Sequence, residues 1–463
     1  MKPRIYSTTV LVAGAGMAGL CAGISALERG AQVLVIEKSD QPGGSMAMSN
    51  GLIWTLRSKD EVRRQVPQGD EALQDLLVDG LTESLDWLVQ QGAQLEPMQT
   101  VLGHGFGRRA SGGQLTAALT ERATAMGANI MTGVSLQSLL TENGAVVGAL
   151  AFDANGPIEI RAASVILTTG GFQGNCELVT RYITPHADAL YLRSNPNSTG
   201  DGLLAALDVG AATTPWLNAF YGHAMNAPPA RFDASQFQNM SHKYGQMAVA
   251  LNLSGRRFAD ESAGTGEELL NAHLSRQSGA TAAYVVDAAI GELSYEVSAL
   301  PRVVIERARQ AGARVVQANT LEELAQGMQA WGIPSAHSLQ TLQDYNAAIK
   351  AGTGAALHPP RVGNAFALET PPFSAVLVRA SITYTCGGLR TDLDMRVLRR
   401  ATSVSMMPLA KPGLSEWRTG TIAGLYAAGC DMGGISIHGY LGGLAQALVT
   451  GRAAGSAAAA DSC

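Results

Sequence analysis

The chain has 463 residues, enough for two or three domains or for one large domain carrying an insertion. Its formal net charge is −5 and no basic run exceeds a pair such as Arg399-Arg400, which excludes the electrostatic footprint of a nucleic-acid binder. No run of about 18 apolar residues is free of glycine and charge, which argues against a membrane span; five cysteines without metal spacing argue against a disulfide framework and against a metal site.

The first element in chain order is the most informative. A short apolar run, Thr9 to Ala13, feeds Gly14-Ala15-Gly16-Met17-Ala18-Gly19; an alanine-rich helical segment follows, and a second apolar run, Val33 to Ile36, ends in Glu37. This is a strand–helix–strand unit with the glycine spacing of a dinucleotide site. Gly14 permits the tight turn, Gly16 lets backbone N–H groups approach a pyrophosphate, and Gly19 lets the helix pack on the strand. Glu37 is placed to hydrogen-bond the adenosine ribose, with Ala18 and Lys38 as further contacts. Lys2 and Arg4 before an apolar stretch resemble a signal peptide, but that stretch is the nucleotide strand, so a cytoplasmic location is expected.

Next come two small-residue loops, Gly43-Gly44-Ser45 and Ser49-Asn50-Gly51. The apolar spacing from Asp60 to Gln91 predicts helix, as does Gly113 to Met126. Strands are predicted over Ala145 to Phe152 and Ile158 to Leu167, the second stopping at Thr168-Thr169-Gly170-Gly171, a second close backbone approach to the ligand. From about Thr214 to Ala355, helical segments at Leu321 to Gln329 and Leu339 to Lys350 alternate with polar loops, which reads as an inserted domain. The last hundred residues return to short strands and glycine turns, then an alanine-rich helix from Gly443 to Ala460, explained by helix propensity alone.

Several separated blocks, in order, resemble one family. GAGMAG with Glu37, Pro42 to Ser45 with Ser49 to Trp54, Thr168 to Phe172, Thr199 to Gly202, Gly255 to Glu261, Tyr384 to Leu389 and Gly424 to Gly429 are similar to the fumarate reductase and succinate dehydrogenase flavoprotein superfamily, which also holds 3-ketosteroid Δ1-dehydrogenases and tricarballylate dehydrogenases. The resemblance implies an α/β fold: a Rossmann-like FAD-binding domain with an inserted α+β capping domain. The expected division is 1–213 and 356–463 for the FAD domain and 214–355 for the cap. It also places Gly429 and Asp431 near the ribityl chain and Gly442 and Gly443 near the flavin pyrimidine. Relatives that attach FAD covalently do so through a histidine just after the GGS block; here Met46, Ala47 and Met48 follow Ser45, so non-covalent FAD is expected.

The resemblance further implies hydride transfer between flavin N5 and a carbon β to an activating carbonyl. Dicarboxylate enzymes of the family clamp their substrate with histidine and arginines, and charge-assisted bonds make that clamp strong. This chain has Tyr384 before Thr-Cys-Gly-Gly, Tyr440 before Leu-Gly-Gly and Gly264 three residues after Glu261. Fumarate would then be poorly compensated, and a ketone or ketoacid, desaturated or formed from its enone, is expected instead. Tyr440 and backbone N–H groups near Gly442 and Gly443 would hold the carbonyl oxygen; Tyr384 or Tyr221 would exchange the α proton; His438 would hydrogen-bond substrate. Arg257 and Glu261 read as an ion pair anchoring the cap, and Cys386 as a small hydrophobe. A tricarballylate-like polycarboxylate enzyme, drawing its binding charge from an arginine cluster in the 103–110 loop that holds His104 and Arg108, is one alternative. The other is an electron-transfer subunit needing a partner, because the chain lacks CxxCH and cluster-ligand spacing and must exchange electrons with an external donor or acceptor.

Overall fold

The computed structural model describes residues 2–101, 103–294, 299–400 and 420–462. The elements that frame the site are, in chain order, β1 (Arg4–Ala13), α1 (Met17–Glu28), β2 (Val33–Glu37), β3 (Gly156–Leu167), α2 (Glu267–Leu274), β4 (Phe373–Arg379), β5 (Thr421–Ala427) and α3 (Gly443–Ser462).

One sheet runs β5, β3, β1, β2 and Asn129–Thr132, all parallel, with Arg396–Leu398 antiparallel at the β5 edge. The first half of β3 also pairs antiparallel with Ala145–Asp153, which continues to Ser135–Glu142. β2 and the last four residues of β1 are buried, as continuous apolar runs are when helices cover both faces of a parallel sheet. α1 is buried from Met17 to Ala26 and lies against α3. A Cβ on Gly455 would fall 2.0 Å from the Ala22 carbonyl oxygen, and one on Gly451 2.5 Å from that of Ala18. The alanine-rich end therefore serves close helix packing, beyond the propensity that its composition suggests.

The helix expected over residues 60–91 is two, Lys59–Gln65 and Glu71–Gln90, broken around Pro67 and Gly69. Each begins on its own cap, Ser58 accepting from the Glu61 N–H and Asp70 from those of Ala72 and Leu73.

The inserted region builds a second core on an antiparallel sheet in the order Met225–Asn226, β4, Thr281–Val286 and Val249–Asn252, with Val315–Ala318 also on β4. β4 is the strand that most others pair with, and residues up to Ala380 pack in this second core. We therefore place the return to the first core at Ile382, later than the expected residue 356. Two short pairings join the cores: Tyr191–Leu192 beside Ser381–Ile382, and Phe220–Tyr221 antiparallel to Tyr384–Thr385.

Candidate active site

A cavity of about 490 Å³ runs from the β1–α1 turn, between the two cores, to the tyrosines at the second joining pair. Its nucleotide end is framed by glycine turns. Gly14 has φ +111°, and a Cβ there would sit 2.2 Å from the Thr168 carbonyl oxygen; a Cβ on Gly19 would sit 1.8 Å from that of Gly14. At Gly16 the nearest atom to such a Cβ is 3.9 Å away, so this glycine leaves room for a ligand. The first turn of α1 has neither a side-chain cap nor an acid, so its N–H groups and dipole are available to a pyrophosphate. Glu37 accepts from the N–H groups of Ala15 and Ser39, each at 2.8 Å, and retains lone pairs for ribose hydroxyls at the cavity wall. The residues present fit FAD.

Gly14, Gly16, Ala18, Glu37, Lys38, Gly44, Ser45, Ser49, Asn50, Thr169, Gly170, Gly429 and Gly443 line the cavity. Gly19, Gly43, Gly51, Asp431 and Gly442 stand behind its wall instead. Gly19 packs on Gly14, Gly43 donates to the Ala15 carbonyl at 2.8 Å, and Cβ atoms on Gly51 and Gly442 would strike the carbonyl oxygens of Ala110 and Trp54 at 1.4 and 1.8 Å. The buried Asp431 carboxyl accepts from Thr169 Oγ1 at 2.9 Å and from the N–H groups of Thr169 and Gly171. It shapes the glycine turn that faces the cofactor, and burial pushes its pKa up to about 6.

At the other end the Tyr221 and Tyr440 rings stack with centroids 3.9 Å apart, Tyr384 lies 5.4 Å from Tyr221, and Trp54 meets Tyr440 edge-on at 5.5 Å. Tyr221 Oη is 3.0 Å from His223 Nε2, and His223 Nδ1 is 2.9 Å from Glu267 Oε2 on α2. Glu267 also accepts from Tyr284 Oη at 2.7 Å and the Ala224 N–H at 3.2 Å. Burial lowers the His223 pKa well below its ordinary value and raises those of Tyr221 and Glu267. A neutral His223 that donates from Nδ1 to Glu267 turns its Nε2 lone pair to the Tyr221 hydroxyl, a tautomer assigned from the network.

Tyr440 Oη accepts from the Gly443 N–H at 3.4 Å, which leaves its own proton for another acceptor; burial pushes its pKa up to about 12. Among the described residues the buried Tyr384 Oη has no partner, and a Cβ on Gly443 would lie 2.9 Å from the Tyr384 ring.

His438 is a correction. It sits at φ +55°, edge-on to Trp216, and lines a separate recess of about 30 Å³ with His273 and Arg276, because the turn before Tyr440 aims successive side chains apart. His104 and Arg108 are likewise away from the cavity: Arg108 binds the carbonyls of Glu96 and Leu95, and His104 faces Glu61 at 3.9 Å. Arg257 and Glu261 do pair, at 2.5 Å, and Arg361 completes the buried cluster at 2.9 Å. The charged cavity residues that sequence reasoning passed over include Arg193, Lys243, Glu267 and Glu268. Arg193 shortly precedes the Thr199-Gly-Asp-Gly block, the one signal that could have marked it.

Comparison with known proteins agrees with this geometry. Residues 9–444 match the family described as FAD binding domain, and the chain belongs to that family. A probable fumarate reductase of Shewanella frigidimarina is 27% identical over 98% of this chain and 75% of its own length. The NADH:fumarate oxidoreductase of Klebsiella pneumoniae is 26% identical over 99% of this chain and 48% of its own, so the chain spans about half of that relative. Among solved structures, a 3-ketosteroid Δ1-dehydrogenase from Sterolibacterium denitrificans shares the fold with a TM-score of 0.73, at 19% identity over 98% of this chain and 99% of that one. The protein is an FAD-dependent oxidoreductase. Among the described residues no helix is long and apolar enough to cross a membrane.

Proposed function

We propose that the protein desaturates a CH–CH bond next to a carbonyl, or reduces the matching enone, with non-covalently held FAD. The observation that carries this reading is the buried chain Glu267–His223–Tyr221, which ends beside the stacked Tyr440 in the cofactor cavity. FAD supplies the ring that takes or gives the hydride. Glu267 fixes the His223 ring, and His223 holds a proton exchanged with Tyr221 Oη, which serves the α carbon. Tyr440, accepting from Gly443, turns its hydroxyl proton to the carbonyl oxygen, where negative charge develops. Tyr384 packs directly against Gly443 in the pocket wall.

Non-covalent attachment is supported by Met46, Ala47 and Met48 standing where an attaching histidine would follow the GGS block, and by the only cavity histidine, among the described residues, being engaged at both ring nitrogens. Acid precipitation should release the flavin to the supernatant. A reducing, cytoplasmic setting is supported by the odd cysteine count and the burial of Cys21 and Cys386. Anaerobic mixing of the holoprotein with saturated ketones and acids, and of its dithionite-reduced form with enones and enoates, tests the reaction. Bleaching or reoxidation of the flavin band by a carbonyl compound is expected; a flavin that responds to none of them defeats the reading.

A further inference from the structure

We infer that the substrate is a monoanion whose carboxylate is held between Arg193 and Lys243. This rests on the reaction proposed above and names the group that carries the activating carbonyl. Arg193 follows the joining strand Tyr191–Leu192 and lines the cavity with Tyr221 and Tyr440. Arg193 is buried at 6% exposure; its Nη1 donates to Thr383 Oγ1 at 2.9 Å, its guanidinium lies beside the Tyr221 hydroxyl, and its buried Nε has no partner among the described residues. Lys243 reaches the same cavity from the cap, with a single bond to Gln238 Oε1 at 3.2 Å. Among the described residues neither cation has a carboxylate within 4.0 Å.

The two acids in this part of the cavity are engaged elsewhere. Glu267 serves His223, Tyr284 and the Ala224 N–H; Glu268 accepts from Thr265. Burial raises the pKa of both, which weakens them as counter-ions, and lowers that of Lys243 to about 8. A buried Arg193 and a half-buried Lys243 that face one cavity without an ion-pair partner are costly, and an incoming carboxylate relieves both. The FAD pyrophosphate belongs at the uncapped start of α1, whereas these cations accompany the tyrosines. One cation pair matches one carboxylate, and the cavity wall also carries Trp54, Tyr440 and Phe237, which suit an apolar or aromatic body. A dianion is thereby disfavoured and a monoanionic enoate or its saturated acid is favoured.

The test is flavin-difference titration of the holoprotein with 3-phenylpropenoate and acrylate, each against its amide, with fumarate as the dianion. The acids should bind at least about tenfold more tightly than the amides, as expected for charge-assisted bonds. That preference should fall to about twofold in Lys243→Met and in Arg193→Met, and survive in part in Arg193→Lys, with flavin content unchanged. Amides that bind or turn over as well as acids overturn the anion subsite alone, as does a preference that persists in Lys243→Met. A flavin that no member of the panel perturbs or reoxidises overturns the reaction together with the subsite.

Discussion

The two ends of one cavity are made differently. At the nucleotide end the contacts are backbone N–H groups and glycines, and the local acids Glu37 and Asp431 already accept from backbone donors. At the substrate end, side chains from segments far apart in sequence converge, and polar atoms such as Tyr384 Oη and Arg193 Nε are left without partners among the described residues. A nucleotide common to many enzymes is held by features any chain can offer. A particular substrate is met by groups whose hydrogen bonds are kept free for it.

The largest effect that would sharpen this contrast is Gly19→Val. Its Cβ would lie 1.8 Å from the Gly14 carbonyl, so the β1–α1 turn cannot keep its shape, and flavin content measured at purification should be lost along with thermal stability. Retention of FAD by this variant would break the backbone account of the nucleotide end.

Next is Tyr221→Phe, which should lower kcat by roughly 10²- to 10⁴-fold, the usual range for a lost acid or base, while flavin content stays normal. Equal turnover would remove Tyr221 from proton transfer. Glu267→Gln keeps an acceptor for His223 but weakens the orientation of its ring; a fall of about tenfold in kcat with a shifted pH profile is expected, and a change in KM alone would count against a positioning role.

A smaller effect concerns pH. Lys243 faces Arg193, Glu267, Glu268 and Arg109, and burial holds its pKa near 8, below its ordinary 10.5. It is cationic below pH 8, so kcat/KM for an anionic substrate should fall as pH rises through about 8, and that limb should vanish in Lys243→Met. Because its pKa is depressed, its contribution to stability is full above pH 10.5 and is lost as pH falls toward 8. Lys243→Met should therefore melt at a higher temperature at pH 7 and lose that advantage above pH 10.5. The smallest effect is expected from His438→Asn. Asparagine tolerates the positive φ, and the side chain lies outside the cavity, so activity should change by less than about twofold.

Much of the nucleotide end was legible in sequence because it depends on local order: an apolar strand, glycines at fixed spacing and an acid on the next strand are read within one stretch. Gly51 and Gly442 pack tightly against carbonyls and Gly43 against the Thr116 side chain, and composition cannot separate such packing from ligand contact. The break near Pro67 was signalled by proline and glycine, although apolar spacing on both sides suggested continuity. Tyr221, Tyr384 and Tyr440 were also picked out, but not the stacking of two of them or the chain that leads to Glu267.

The sequence by itself determined the FAD-binding unit and drew attention to Tyr384 and Tyr440. Only the tertiary structure decided that β4 belongs to the second sheet, that His438 and Arg108 face away, and that Arg193 and Lys243 share a cavity. Those outcomes follow from pairing between strands far apart in sequence and from the direction of single side chains at turns. Spacing along the chain carries information about neither.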